Sequence, residues 1–120
     1  MSRDEALYLA DILRACSKIQ RYLGGRSRKE FFSDERTYDA VLRNLQIIGE
    51  AAKRISAATR QSASSIDWRK IAGFRDIVVH EYFGIDHTIL WDIVTNKVPE
   101  LEKAVRSITR GEEGQSRTAG

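Results

Sequence analysis

Residues 38–58 of the chain read YDAVLRNLQIIGEAAKRISAA, and apolar residues recur in this stretch at steps of three and four. Such spacing places the apolar side chains on one face of a helix with 3.6 residues per turn. The residues that share this face are Val41, Leu42, Leu45, Ile48, Ala52 and Ile55. The stretch therefore predicts one long amphipathic helix that must pack against other helices.

Three further segments have the same spacing. Ser2 and Glu5 match a capping box and predict a helix that ends before Gly24-Gly25. Asp67 is the expected N-cap of a helix that runs to about residue 78. Asp86 is the expected N-cap of a helix in which the apolar phase continues across Pro99. With no alternating strand pattern, the prediction is an all-α, up-down four-helix bundle whose last helix is kinked at Pro99.

Two connections have their own signals. Residues 24–29, GGRSRK, read as a basic loop. Phe31 and Phe32 form a hydrophobic lead-in to Ser33, the expected N-cap of the long helix. In that helix Gly49, Ala51 and Ala52 form a stretch of small residues that allows another helix to approach closely. Ordinary helix packing and a dimer seam are both open interpretations of this feature.

The composition limits the class of protein. The chain has 120 residues and one cysteine, which predicts one domain, at residues 1–110, without an internal disulfide. The tail, residues 111–120, is almost free of apolar residues and is expected to be disordered. Neither a signal peptide nor a membrane span is expected, so the prediction is a cytoplasmic protein. The net charge is only +3, which permits nucleic-acid binding but does not require it.

A polar cluster lies in the segment Arg75-Asp-Ile-Val-Val-His80-Glu-Tyr82. On one straight helix Asp76 and His80 share a face, whereas Arg75 and His80 diverge by about 140°. Arg75 and His80 can therefore reach one phosphate only if the helix ends between them or if a second subunit contributes. A symmetric dimer is one solution.

These residue types suit the cleavage of RNA without a metal ion. RNA supplies its own nucleophile, the 2′-hydroxyl, so a base such as His80 and a cation such as Arg75 would suffice. Asp76 could orient the imidazole. Taken alone, however, the cluster favours a helix-end histidine with ordinary ion pairs.

A family resemblance changes this interpretation. The run Gly73-Phe-Arg-Asp-Ile-Val-Val-His-Glu-Tyr-Phe-Gly-Ile-Asp86, preceded by Ile48-Gly-Glu-Ala-Ala-Lys53 and Ile66-Asp-Trp68 and followed by Trp91-Asp-Ile-Val94, resembles the HepT-like toxins of the HEPN superfamily. The likeness covers roughly residues 4–108. It implies a homodimeric helical bundle in which two motifs face a shared cleft, acting as a metal-independent endoribonuclease without a cofactor. It also implies the toxin role of a type VII toxin–antitoxin system.

The resemblance assigns roles residue by residue. The motif arginine falls on Arg75 and the motif histidine on His80, the catalytic pair, with Asp76 as the supporting polar residue. Many relatives have Asn in place of Asp76. The motif tyrosine falls on Tyr82, which a cognate MntA-like nucleotidyltransferase antitoxin would modify with AMP from ATP. Each added phosphate and nucleotide beside Arg75 and His80 would exclude RNA by charge and by volume.

Other residues remain open. Arg26, Arg28 and Lys29 form an ordinary solvated loop or hold RNA phosphates. Glu50 has two open interpretations. It forms an ion pair in the bundle, for which Arg75 is a candidate partner, or it takes part in catalysis. Cys16 lies on an apolar helix face and is expected to be a core residue.

Two alternative functions use the same fold. The chain could be a non-catalytic helical subunit that binds a partner or substrate for a nucleotidyltransferase. It could also be a plain nucleic-acid-binding protein, for which a denser basic face would be expected.

Overall fold

The computed structural model describes residues 1–81, 84 and 86–119, except for the side chains of residues 80, 81 and 112–119. Within this part of the chain every regular element is helical. The all-α prediction is therefore confirmed, and the long helices pack as a bundle. Helix α1 (Arg3–Leu23) lies between α3 (Glu35–Ala52) and α8 (Val98–Ala119), and α3 packs against α5 (Trp68–Ala72) and α6 (Phe74–Glu81).

Helix α1 begins as the sequence predicts, but its capping box is incomplete. The Ser2 hydroxyl accepts a hydrogen bond from the Glu5 amide at 3.1 Å. The Glu5 carboxylate does not return to the Ser2 amide; it is 7% exposed and accepts a hydrogen bond from the Ser56 amide at 2.6 Å. The prediction for Glu5 is therefore wrong, because the turn that follows α3 brings the Ser56 amide to the Glu5 carboxylate instead.

The connection after α1 differs from the expected loop. Ser27 and Glu30 form a reciprocal capping box that starts a short helix, α2 (Arg28–Ser33). Ser33 is consequently the last residue of α2, and Asp34 caps α3 by accepting from the Thr37 amide at 3.2 Å. The assignment of Ser33 as N-cap is wrong because the carboxylate one residue later takes that position.

Helix α3 is shorter than the apolar pattern predicts. It ends at Ala52, and Ser56 then caps the separate short helix α4 (Ala57–Gln61) by accepting from the Thr59 amide. Ile55 is 4% exposed although it lies in the turn between them. Its burial explains why the apolar phase outlasts the helix.

The predicted third helix is divided at Gly73 into α5 and α6, and Asp67 caps α5 as expected. The fourth begins at the Asp86 cap with α7 (His87–Asp92), passes through a π-helical turn (Ile93–Lys97) and continues as α8. The Val98 amide bonds to the Ile93 carbonyl, five residues back, so the ladder widens immediately before Pro99, which has no amide donor. The prediction that the helix continues across Pro99 is confirmed.

The core lies between α1, α3 and α8. Cys16 is fully buried there, as expected. Helix α8 extends to Ala119, past the predicted boundary at residue 110, and the division into a domain and a disordered tail stays a prediction. In the described ranges, no helix is both long enough and apolar enough to cross a membrane.

Candidate functional site

Arg75 lies in the first turn of α6, and its position depends on Gly49 of α3. Gly49 is buried, and a Cβ atom built on it would lie 2.7 Å from the Arg75 amide nitrogen and 3.1 Å from the Ala72 carbonyl oxygen. Only a hydrogen atom fits between the two helices at this point. The predicted close helix approach at Gly49 is therefore confirmed, and it sets where the Arg75 side chain leaves the bundle.

The exposed Arg75 side chain lines an open surface groove of about 860 Å³. We call this cavity the Arg75 groove. On one side, α1 contributes Asp4, Tyr8 and Asp11, which are spaced i, i+4 and i+7 and so share one helix face. Tyr8 is partly buried and packs against the core, while both aspartates are exposed or partly exposed.

The other side of the Arg75 groove comes from the end of α3. Ile47 and Glu50, three residues apart on α3, share a helix face, and Lys53 and Arg54 follow in the turn after α3. The Arg54 guanidinium carbon is 5.7 Å from the centroid of the Tyr8 ring, which joins the two sides by a cation–π contact. The lining thus combines an aromatic ring with both signs of charge.

The expected ion pair between Glu50 and Arg75 does not form within 4 Å. Both side chains line the groove, but the Glu50 carboxylate accepts a hydrogen bond from Gln46 Nε2 at 3.4 Å. Glu50 and Arg75 are both exposed to solvent. This leaves the Arg75 guanidinium available to an anion in the groove.

The backbone of the motif is one helix from Phe74 to Glu81. The helix does not end between Arg75 and His80, so the two Cα positions diverge by about 140° and are separated by about 7.5 Å along the axis. Asp76 is exposed and lies one turn before His80, on the same face. The His80 side chain and the whole of Tyr82 fall outside the described residues.

An exposed apolar residue lies beside Arg75 that sequence reasoning did not single out. Val79 is 53% exposed and, at i+4 from Arg75, shares its helix face. Among the α6 side chains that the structure describes, residues 74–79, the exposed ones are Arg75, Asp76 and Val79. The i, i+4 spacing was visible in the sequence, but the apolar pattern alone could not show that Val79 is outside the core.

The three basic residues of the predicted RNA-binding loop have different surroundings, and none of them lines the Arg75 groove. The Arg26 guanidinium donates to the Tyr22 and Leu23 carbonyls at the end of α1 and lies 3.5 Å from an Asp34 carboxylate oxygen. The Arg28 guanidinium donates to the Thr88 hydroxyl at 3.0 Å. Both arginine side chains of this loop therefore have contacts within the chain. Their role towards RNA stays a prediction.

Trp68 and His87, which are chemically able to contact a ligand, have packing contacts. Trp68 is 5% exposed, and its indole N–H donates to the Ala63 carbonyl at 3.1 Å. The His87 ring stacks on Phe32 at a centroid distance of 3.9 Å. Among the side chains that the structure describes, no group of three or more His, Cys, Asp or Glu residues is arranged to hold a metal ion.

Comparison with known proteins gives a consistent result. A family profile described as "Ribonuclease HepT-like" matches residues 12–108. "Putative RNase TTE0752" of Caldanaerobacter subterraneus subsp. tengcongensis is 39% identical over 105 residues, which cover 88% of this chain and 94% of that protein. "Probable ribonuclease HepT" of Thermococcus cleftensis is 37% identical over 102 residues, which cover 85% of this chain and 93% of that protein.

A third relative, "Putative RNase MJ0127" of Methanocaldococcus jannaschii, is 36% identical over 113 residues, which cover 94% of this chain and 93% of that protein. No solved structure matches the chain significantly. The profile covers most of the chain and the relatives match along nearly their full lengths. The chain therefore belongs to the HepT-like ribonuclease family.

Proposed function

We propose that the protein is a metal-independent endoribonuclease that acts as a toxin, with Arg75 and His80 as its catalytic residues. The observation that carries this proposal is the exposed Arg75 guanidinium at the edge of the Arg75 groove, on the helix that also bears His80. The names of the relatives, which include RNase and ribonuclease, support the same reaction class.

The reaction uses the nucleophile that RNA carries. The imidazole of His80 accepts the proton of the 2′-hydroxyl, and the 2′-oxygen attacks the adjacent phosphorus. Arg75 binds the phosphate oxygens that gain charge in the phosphorane. The bond to the 5′-oxygen then breaks and this oxygen takes up a proton, which leaves a 2′,3′-cyclic phosphate and a 5′-hydroxyl. Asp76 positions the imidazole from one turn away.

The working unit is a homodimer in this proposal. Because α6 is continuous, the backbone positions of Arg75 and His80 in one chain are about 140° apart around the helix axis, and a second copy can complete the pair around one phosphate. The exposed Val79, beside Arg75, is an apolar surface that such a contact would bury. A symmetric pairing of α6 would bring two motifs to one cleft.

The proposed regulation acts on the same cleft. A cognate minimal nucleotidyltransferase of the MntA type transfers AMP from ATP to the Tyr82 hydroxyl, with release of pyrophosphate. The phosphate would bind near Arg75 in competition with RNA, and the nucleotide would fill the cleft. The test is the intact mass of the protein with and without the antitoxin and ATP, followed by peptide mapping. An unchanged mass with an active antitoxin would rule out this regulation.

The ribonuclease proposal is tested with the purified, unmodified protein and a single-stranded RNA in the presence of EDTA. Cleavage is expected, with cyclic phosphate ends, and Arg75→Ala or His80→Ala should reduce its rate by at least 100-fold. Arg106→Ala serves as a control, because Arg106 is exposed on α8, lies outside the Arg75 groove and pairs with Glu102 of its own helix at 3.7 Å. Absence of cleavage, with the partner protein still bound, would instead favour a non-catalytic subunit of a nucleotidyltransferase.

The dimer is tested separately at Val79. Val79→Asp should leave folding intact, since the residue is 53% exposed, but should shift the protein to a monomer and lower the rate of RNA cleavage. Leu7→Asp is a matched control, because Leu7 is 56% exposed on α1. Sedimentation velocity measures both. A Val79 variant with the same mass in solution as the wild type would rule out α6 as the contact.

A further inference from the structure

We propose that the Arg75 groove is a nucleobase-binding subsite, in which a base next to the scissile phosphate stacks on Tyr8 and is selected by the carboxylates beside it. This inference rests on the proposed ribonuclease function and extends it to substrate selection. The groove measures about 860 Å³, within the range of about 300–1,000 Å³ that is usual for pockets that hold small ligands. It therefore has room for a base and its sugar.

The platform for the base is the Tyr8 ring. Tyr8 packs partly against the core, which fixes its orientation, while it also lines the open groove. The Arg54 guanidinium, 5.7 Å from the ring centroid, adds a planar cation to the same place. Aromatic rings and arginine planes are the groups on which proteins stack unpaired RNA bases.

Arg75 gives the subsite its position relative to the reaction. Its side chain lines the same groove as Tyr8, so a phosphate held by Arg75 has its neighbouring base inside the groove. The close contact of Gly49 with the Arg75 backbone holds α6 against α3, and α3 also packs against α1, the helix of Tyr8. Arg54 lies in the turn directly after α3. The phosphate-binding group and the stacking platform are thus joined by a rigid helix contact.

The charges of the groove argue against a simple phosphate track. Lys53, Arg54 and Arg75 are matched by three carboxylates, those of Asp4, Asp11 and Glu50, so the lining has no net charge. Ionised carboxylates only accept hydrogen bonds, and they would repel a run of phosphates. They are suited to a ligand that presents N–H donors, in addition to a single phosphate.

This charge pattern discriminates between bases. Guanine, adenine and cytosine each present an exocyclic amine that can donate to a carboxylate, as cytosine does to Asp or Glu in nucleic-acid recognition. Uracil has one N–H between two carbonyl oxygens, and these oxygens face the carboxylates unfavourably. Asp4 and Asp11 flank Tyr8 on the same face of α1, so they are placed to contact the edge of a stacked base. The subsite should favour amine-bearing bases over uracil.

The test uses 2′-fluoro oligonucleotides, which lack the attacking hydroxyl and cannot be cut. The fluorescence of an internal 2-aminopurine should fall on binding to the wild type, and Tyr8→Leu should weaken binding by about 5- to 100-fold and restore the fluorescence. Tyr8→Phe should retain both effects, because it keeps the ring. Tyr22→Leu is the matched control: Tyr22 is also partly exposed on α1, with the Arg21 guanidinium 5.5 Å from its ring, but it lies outside the groove.

Base selection is tested with oligo-C and oligo-U of equal length. The wild type should bind oligo-C more tightly, and Asp4→Asn/Asp11→Asn should reduce the ratio of the two affinities towards one. Equal affinity of wild type and Tyr8→Leu, or an unchanged ratio in the double variant, would overturn the subsite even if RNA is cleaved. Conversely, binding that depends on Tyr8 in a protein that does not cleave RNA would overturn the ribonuclease proposal and leave the subsite standing.

Discussion

Gly49 and Arg75 are in contact through their backbones: a Cβ atom on Gly49 would lie 2.7 Å from the Arg75 amide nitrogen and 3.2 Å from the Arg75 Cβ. Neither neighbour is the flexible end of a side chain, so a larger residue at position 49 must move α6 away from α3. The groove, the motif arginine and the packing of two helices therefore depend on one missing methyl group.

Gly49→Ala should consequently affect both folding and activity. We expect it to lower the free energy of unfolding by about 1–3 kcal/mol, the usual cost of overpacking. RNA cleavage should fall further than stability explains, because Arg75 is displaced. Urea unfolding measures the change in stability, and the rate of RNA cleavage by the folded protein measures the change in activity.

A control for this change is available on α8. Gly111 lies in a helix, and no described atom outside the adjacent backbone of that helix lies within 4 Å of a Cβ atom built on it. Gly111→Ala should therefore leave cleavage unchanged and stabilise the protein by about 0.5–1 kcal/mol at most. A Gly49→Ala variant that behaves like Gly111→Ala would show that the contact between α3 and α6 can relax without consequence.

The Glu5 carboxylate should make folding stability depend on pH. Burial of Glu5 opposes ionisation, but hydrogen bonds from the Ser56 amide and from the Ser56 and Thr59 side chains outweigh it, so the pKa of Glu5 lies below its ordinary value. A lowered folded-state pKa stabilises the protein above the unfolded-state pKa, and this contribution is lost as the pH falls through the folded-state pKa. Glu5→Gln should thus be less stable at neutral pH by roughly 1–2 kcal/mol.

The measurement is urea unfolding between pH 7 and pH 3. Wild type should lose more stability than Glu5→Gln over this range, so that the difference between them shrinks in acid. Glu100→Gln, at an exposed position of α8, is the control and should follow the wild type. A constant difference between wild type and Glu5→Gln at every pH would contradict the assignment.

Cys16 should be chemically inert in the folded protein. Its side chain is fully buried, and burial, with a smaller contribution from the negative charge of Glu102, raises the pKa of the thiol to about 12. At pH 8 the reactive thiolate is therefore almost absent. In a urea concentration that unfolds the protein, labelling with a disulfide reagent should be complete quickly. In buffer without urea, the rate of labelling should be limited by the rate of unfolding. Rapid labelling of the folded protein would show that the thiol is accessible.

Substitutions of the basic residues in and just before α2 should differ in their effect on stability. Arg26 holds the last carbonyls of α1, so Arg26→Gln should reduce stability by about 1 kcal/mol; its ion pair with Asp34 adds little, since both side chains are more than a third exposed. Lys29 is exposed, and Lys29→Gln should change stability by less than about 0.5 kcal/mol.

If the loop holds RNA phosphates, Lys29→Gln should also weaken RNA binding and reduce the slope of log affinity against log salt by about one. Fluorescence anisotropy at several salt concentrations measures this slope. An unchanged slope would indicate that the loop is an ordinary solvated surface.

The helix starts at Ser2, Asp67 and Asp86 could be predicted because an N-cap depends on a side chain and an amide two or three residues away. The capping box at Ser27 and Glu30 has the same local character, but the glycines and cations around it favour a loop. The end of α3 at Ala52 could not be predicted from the sequence. Ile55 continues the apolar spacing of the helix, although it lies in the turn after it and is buried there. Burial depends on the surrounding helices, not on the local conformation alone.

The Arg75 groove could not be predicted from any local sequence pattern. Tyr8 and Arg54 were not predicted as site residues, although the spacing of Asp4, Tyr8 and Asp11 marks a common face. That face becomes part of a site only when α1 packs against α3 and α3 against α6.

By itself, the sequence determined the helical class of this protein, the N-caps at Ser2, Asp67 and Asp86, and the Arg75 motif, because these follow from spacing and from contacts within a few residues. The tertiary structure decided which exposed faces meet. Arg75 comes to lie with Tyr8, far away in the chain, because α3 packs against both helices and because Gly49 has no side chain to hold α6 away. That contact is a property of packed helices, and no stretch of sequence contains it.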